Sequence, residues 1–363
     1  MDTPAHMARE ILYGSRLVSC FAPRPLSLDA MFRVAVSRAP ERDALVLGDH
    51  RITYRSLERI VDRIAHNLVH AGFHKGERIA LLLGNGLEFI YLALGAGRAG
   101  LNVVPMNTRQ RQREIDYVLT QCDAAALVYD AACDAQLPKN RGSLRGVWTV
   151  GPGRATPFAE LLADGPVAQL PDQQQEDTAF LLYTSGTTGN PKGAMLTHAS
   201  IIHSILNLEH GYGLKDGEVS MLAVPASHVT GLVALILTTI HLAGTTLILP
   251  GFKSGDFLAL AAGARMTYTL MVPAMYNLCL LHPDFAAFDL SAWRIAGFGG
   301  APMPEATIRR LAEALPGLRL CNAYGSTETS SPATLLSPFA PRGTSRPWSS
   351  TTTTSAPARP ASC

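Results

Sequence analysis

No two cysteines stand at the spacing of a metal site or a redox motif. The six cysteines, Cys20, Cys122, Cys133, Cys279, Cys321 and Cys363, are scattered, and none lies in a Cys-x-x-Cys step or a Cys/His cluster. That excludes a metal site built on them and predicts reduced thiols in a cytoplasmic protein. Charge is also sparse. Charged residues are 17% of the chain and the net charge is +2, so no global basic field argues for nucleic acid. The N-terminus carries Asp2, Arg9 and Glu10 and has no apolar signal core. The most apolar long stretch, residues 231–244, is too short to span a bilayer and contains Thr238, Thr239 and His241. It is expected as a buried helix. No internal repeat is visible.

What the chain does have is apolar substance. Hydrophobic residues are 47% of 363, enough for a substantial core in one large domain or in two or three smaller ones. Residues 1–40 read as a helical lead-in. Residues 43–54 read as two short strands around a Gly-Asp turn. An amphipathic helix follows, with Leu57, Ile60, Ile64 and Leu68 on one face. Strands are then expected at 79–83, 102–105 and 124–129, with helices at 88–98 and 114–121. Residues 140–177 are poor in pattern and rich in turn formers, so a surface connection is expected there. Later strands are expected at 219–224, 245–249, 268–272, 294–298 and 318–323. Alternating strands and helices indicate an α/β fold.

Residues 181–193 are the most informative stretch. They read Leu-Leu-Tyr-Thr-Ser-Gly-Thr-Thr-Gly-Asn-Pro-Lys-Gly, followed by an apolar-periodic segment, 194–208. The expected order is strand, phosphate loop, helix. Gly186, Gly189 and Gly193 let backbone N–H groups converge on an anion. Thr184, Ser185, Thr187 and Thr188 supply hydroxyls, and Lys192 supplies a point charge. Loops of this composition often bind nothing, but so many hydroxyls and glycines beside a Pro-Lys-Gly argue against that here. A Walker loop is excluded, because Pro191 stands where its second glycine belongs and Gly193 where its hydroxyl belongs.

The stretch resembles the phosphate loop of the adenylate-forming (AMP-binding) superfamily, which includes acyl-CoA synthetases and the adenylation domains of peptide synthetases. Residues 52–57 and 97–107 resemble two further family motifs. The resemblance implies the large N-terminal domain of that fold, with stacked mixed sheets flanked by helices. It also implies three more constellations at the carboxyl ends of strands. In Pro225-Ala-Ser-His-Val-Thr-Gly231, His228 would lie beside the carboxylate of the acid, with Val229, Thr230 and Gly231 nearby. A lone histidine after a strand is more often structural, yet this segment resembles acyl- and aryl-CoA synthetases and not amino-acid-activating domains. In residues 297–302, Gly299, Gly300 and Ala301 would wall an adenine site, with Phe298 beside the acid. A tight turn before a helix would explain the same residues. In residues 322–328, Asn322, Ala323, Tyr324 and Gly325 would border adenine, and the Tyr324 ring would stack on it. Thr327 would donate to a phosphate, and Glu328 would hold Mg²⁺ between protein and phosphates. The bland alternative is a capped helix start at Ser326 or Thr327.

The resemblance covers residues 25–338, so the N-terminal domain is assigned to residues 1–340. Glu328 is the last acidic residue, and ten of the 22 residues from Arg342 onward are Ser or Thr. Such a segment, 341–363, cannot pack a core and is expected to be disordered. An out-of-frame reading would explain it, since repeated ACG (Thr) codons shift to GAC (Asp). A genuine low-complexity tail is the alternative. The family's Thr-Gly-Asp motif and its small C-terminal domain with a catalytic lysine are not found in these residues. The implied activity is ATP-dependent conversion of a fatty or aryl carboxylic acid to acyl-AMP, then transfer to CoA, with Mg²⁺. Reduced activity is expected of this chain. The alternatives are a non-catalytic ATP- or acyl-binding fragment and an amino-acid-activating domain.

Overall fold

A computed structural model describes residues 6–138, 142–184 and 189–336. The chain begins with a hairpin, β1 (His6–Leu12) and β2 (Arg16–Ala22), followed by α1 (Leu28–Arg38). Then come β3 (Asp43–Leu47), β4 (His50–Thr53), α2 (Tyr54–His70), β5 (Arg78–Leu82), α3 (Leu87–Arg98), β6 (Asn102–Met106), α4 (Gln112–Gln121) and β7 (Ala124–Asp130). After β8 (Gly146–Val150) and β9 (Thr156–Pro157) the chain enters β10 (Thr178–Thr184), β11 (Lys192–Thr197) and α5 (His198–Tyr212). The last part runs through β12 (Val219–Leu222), a π-helix (Thr230–Leu237), α6 (Thr238–His241), β13 (Thr245–Ile248), α7 (Ser254–Gly263) and β14 (Tyr268–Met271). It ends with α8 (Pro273–Leu280), β15 (Ile295–Gly299), α9 (Glu305–Ala314), β16 (Arg319–Ser326) and β17 (Ser331–Leu336).

The strands form two large mixed sheets. One has the order β11-β10-β6-β5-β7-β8-β9, the other β17-β16-β15-β14-β12-β13-β3-β4. Inner strands are parallel, and each sheet carries antiparallel strands only at its edges, β11 in the first and β17 and β4 in the second. The parallel strands are almost wholly buried, as continuous apolar runs such as Arg78–Leu82 require. Helix α2 shows why the pattern gives the element. Thr53 accepts a hydrogen bond from the Ser56 N–H at 3.2 Å, and Leu57, Val61, Ile64, Ala65 and Leu68 turn inward. The apolar run at 231–244 is buried as expected, but its first half is a π-helix. Thr238 Oγ1 donates to the Val233 carbonyl at 2.8 Å, five residues back.

Three expectations change. The first 40 residues hold a hairpin before their helix. Leu12 and Cys20 alternate inward onto Ala199 of α5, a tertiary contact invisible to local pattern. Residues 140–177 include β8, which adds to the first sheet with Trp148 buried near Phe73. The segment expected as a phosphate loop is followed by a strand and not directly by a helix. From Lys192 to Thr197 the chain forms an edge strand, mostly exposed or half-buried with only Leu196 buried, and the helix waits for a cap, with Thr197 Oγ1 accepting from the Ser200 N–H at 3.2 Å.

Two buried polar groups hold the helical layer. Arg98, 1% exposed, donates to Asp29 at 2.5 Å, Asp62 at 2.6 Å and Glu58 at 2.9 Å, tying α1, α2 and α3 together. Removing Arg98 leaves three carboxylates close together, with only Arg33, half-exposed, still paired to Asp29 and Glu58. Arg98→Ala is therefore expected to lower the unfolding free energy by roughly 3–5 kcal/mol, read from the denaturant midpoint. A midpoint equal to wild type contradicts this. His198, at the start of α5, accepts the Leu28 N–H at Nδ1, 3.2 Å away. Burial pushes its pKa down to about 4, and burial does the same to His203. An unfolded imidazole takes up its proton near 6.5, so between those values the unfolded chain binds more protons. Stability is then complete above about pH 6.5 and falls as pH falls. Between pH 6.5 and 5, His198 accounts for a loss of up to ~2 kcal/mol, and His198→Asn should flatten the slope of stability against pH by that share. A wild-type midpoint independent of pH over this range contradicts the account.

Candidate functional site

The β10–β11 hairpin places Lys192 directly across from Thr184, and Gly193 across from Tyr183. Ser185, Gly186, Thr187 and Thr188 lie outside the described residues. Gly189 follows them, exposed and at φ +110°, a left-handed conformation suited to glycine. The return of the hairpin is pinned by the Tyr117 hydroxyl, which donates to the Pro191 carbonyl at 3.1 Å.

Among the described residues, a side-chain hydrogen bond joins the other sheet to this hairpin. Thr184 Oγ1 donates to Glu328 Oε1 at 3.3 Å. Glu328 sits on a single turn of 3₁₀-helix, Thr327–Thr329, between β16 and β17. The turn is closely specified. Thr329 Oγ1 accepts from the Ser326 N–H at 3.0 Å, and Ser330 Oγ lies 2.9 Å from Ser200 Oγ on α5. Ser330 and Ser331 both have positive φ, 59° and 109°, so the chain reverses here through backbone that a serine seldom adopts. A Cβ at Gly325 would lie 1.8 Å from the Ser331 carbonyl oxygen, so only glycine fits that bulge. Thr327 is buried, while Glu328 and Lys192 are exposed.

Beside Glu328 the two neighbouring parallel strands end together. Gly299 of β15 pairs with Ala323 of β16, and Phe298 with Asn322. A Cβ at Gly299 would meet the Ala323 carbonyl at 2.5 Å, and Gly300 turns at φ +75°. Gly300 and Ala301 are exposed, and the Tyr324 ring, 74% exposed, is an open apolar face. Phe298 is different. It packs into the core at 2% exposure, away from that open row.

His228 follows β12, on the same carboxyl edge of the second sheet. Its Nδ1 accepts from the Thr230 N–H at 3.4 Å and faces Thr230 Oγ1 at 3.3 Å. That leaves Nε2 to carry the proton of the neutral ring and to donate outward. The ring touches solvent, yet the protein around it disfavours the charged form and lowers its pKa below the ordinary value. Val229 and Gly231 are buried and Thr230 half-buried. Gly231 is required by close approach, since a Cβ there would stand 2.3 Å from the Pro225 carbonyl oxygen.

The structure thus brings Thr184, Lys192 and Glu328 together, sets Gly299, Gly300, Ala301, Ala323 and Tyr324 along one edge, and places His228 on that same edge. Among the described residues no group of three or more His, Cys, Asp or Glu could cage a metal. A single exposed carboxylate beside a phosphate-type hairpin does fit Mg²⁺, which takes few protein ligands and completes its shell with phosphates and water. The sequence reading missed Asn85, which follows β5 between two glycines. A polar residue at the carboxyl end of a central parallel strand was the available signal. No helix among the described residues is long and apolar enough to cross a membrane.

Comparison with known proteins identifies the family and fold of the chain. The family model described as AMP-binding enzyme matches residues 32–361, running on into the segment set apart above by composition. The chain is 32% identical over 291 residues to a feruloyl-CoA synthase of an Amycolatopsis species, covering 80% of this chain and 57% of that protein. It is 32% identical over 314 residues to the long-chain-fatty-acid–CoA ligase FadD13 of Mycobacterium tuberculosis, covering 84% and 61%. Among solved structures, the inhibitor-bound N-terminal domain of FACL13 from Mycobacterium tuberculosis superposes with a TM-score of 0.79 at 28% identity, covering 86% of this chain and 78% of that one. The chain therefore spans about three fifths of the length of these curated relatives, and it belongs to the AMP-binding enzyme family, in the fold of its N-terminal domain.

Proposed function

We propose that this chain forms the nucleotide- and acid-binding face of an ATP-dependent acid–thiol ligase. The observation that carries the reading is the meeting of hairpin and turn, where Thr184 touches Glu328 and Lys192 stands opposite Thr184. In this reading Lys192 and the hydroxyl- and glycine-rich loop hold the β- and γ-phosphates, and the Tyr324 ring and the Gly299–Ala301 backbone hold adenine. Glu328 would hold Mg²⁺, which neutralises phosphate charge when bound.

The chemistry needs positioning more than acid–base help. A carboxylate oxygen of the acid attacks the α-phosphorus, forming an acyl phosphate anhydride and releasing pyrophosphate. The thiol of CoA then attacks the acyl carbonyl carbon and AMP leaves. His228, neutral at pH 7 because its pKa lies below the ordinary value, donates from Nε2 to the carboxylate without becoming a competing base. A residue of this kind suits an acid without an α-amino group, and the named relatives that act on ferulic and long-chain fatty acids support that class.

Mg·ATP is expected to raise the melting temperature of the purified chain. Binding at a hundredfold excess over the dissociation constant is worth about 2.7 kcal/mol. Glu328→Ala and Lys192→Ala should each remove most of that rise. ATP–pyrophosphate exchange that requires added dodecanoic or ferulic acid would establish the first step, and stabilisation with no exchange would leave a nucleotide binder. Stabilisation equal in wild type and both variants contradicts the site.

A further inference from the structure

The His228 ring is held loosely, with Nδ1 at 3.3–3.4 Å from Thr230, while its backbone is tied forward to the π-helix by the Leu232 N–H, which donates to the His228 carbonyl at 2.9 Å. A second set of firm contacts lies one step back along the chain, and it comes from the other sheet. Asn85, half-buried at the carboxyl end of β5, donates from Nδ2 to the Val224 carbonyl at 3.0 Å and to the Leu249 carbonyl at 3.1 Å. Its Oδ1 accepts from the Ala226 N–H at 2.7 Å. One primary amide thus uses both donors and its acceptor on the chain leaving β12 and β13. The residue between its two contacts on that chain is Pro225, which has no N–H to offer. The Pro225 carbonyl accepts from the His228 N–H at 3.1 Å, and it is the atom against which Gly231 packs at the start of the π-helix. Orientation of the Pro225 peptide therefore sets both the height of His228 above the sheet and the entry of the helix behind it.

We propose that Asn85 is a positioning residue for His228, a three-bond clamp from the first sheet that fixes the imidazole at the acid site. Only asparagine has this length and this pair of polar ends. Aspartate would set a carboxylate against two carbonyl oxygens, and serine reaches one partner at most. The substrate role rests on the reading of His228 given above. The positioning itself does not.

The test uses the full chain labelled with ¹⁵N-histidine, with His228 assigned by His228→Gln. Wild type should show His228 as one neutral tautomer with the proton on Nε2. In Asn85→Ala, and more mildly in Asn85→Ser, the ring nitrogens should move toward the averaged shifts of a free imidazole, while His198 keeps its own signature. In the same samples the dissociation constant for dodecanoate or ferulate should rise about tenfold and that for Mg·ATP by less than twofold. A folded Asn85→Ala with an unchanged His228 signature overturns the proposal. If neither variant folds, hydrogen exchange at the Ala226 amide of wild type decides, since exchange at the rate of an open loop overturns it and strong protection upholds it. If wild type binds neither acid, the acid-site reading fails and the nitrogen shifts still decide whether Asn85 positions His228.

Discussion

The seam between the two sheets is the constraint on which the rest of the site depends. Each sheet is complete in its own hydrogen bonds, so nothing in strand pairing fixes one against the other. Packing of apolar faces gives that contact its energy but little direction. Direction comes from a few polar bridges. Thr184 reaches Glu328 at one place, and Asn85 reaches Val224, Ala226 and Leu249 at another. The Asn85 bridge is part-buried, so it is directional and costly to leave half made, while the exposed Thr184–Glu328 bond adds direction at little energetic cost. The hairpin of the first sheet and the turns of the second are held in one arrangement for that reason.

The helical layer beneath follows the same logic with stronger interactions. Arg98, itself buried, gathers partly exposed carboxylates from α1 and α2 onto α3. His198 joins the start of α5 to the start of α1. The buried Arg98 and His198 at the centre of these contacts contribute order, not chemistry. The candidate site is the opposite case, with exposed Lys192, Glu328 and Tyr324 displayed on backbone that is closely specified by Gly325, Ser330 and Ser331. Exposed functional groups on constrained backbone are what a site needs if a charged ligand must enter and then find its partners already placed.

Most of the architecture was legible in the sequence, because buried parallel strands and amphipathic helices write strong periodic patterns. The runs at 79–83 and 268–272 and the face of Leu57, Ile64 and Leu68 lie where periodicity put them, give or take a residue. The misses share a cause. The opening hairpin depends on Ala199, 177 to 193 residues further along the chain than its own positions. Strand β8 is short and lies amid turn formers, and its support is Phe73 and the edge of β7. The β11 segment is only six residues long and lies directly before the helix, so its apolar content was absorbed into the helix. The motif residues were legible as types and spacings. Their convergence was not, since Thr184 and Glu328 are 144 positions apart and meet only through the stacking of two sheets. Phe298 was singled out with its neighbours, and it is buried because β15 is an inner parallel strand covered on both faces, the chain reaching the surface only at Gly300.

The most direct measurement is diffraction from crystals of the full chain grown with ATP and Mn²⁺ in place of Mg²⁺, collected at an energy where manganese scatters anomalously. The account predicts one strong anomalous peak at bonding distance from the Glu328 carboxylate, with the phosphates between Lys192 and Thr184 and the purine against Tyr324. A nucleotide bound elsewhere, or a metal peak with no contact to Glu328, would contradict it.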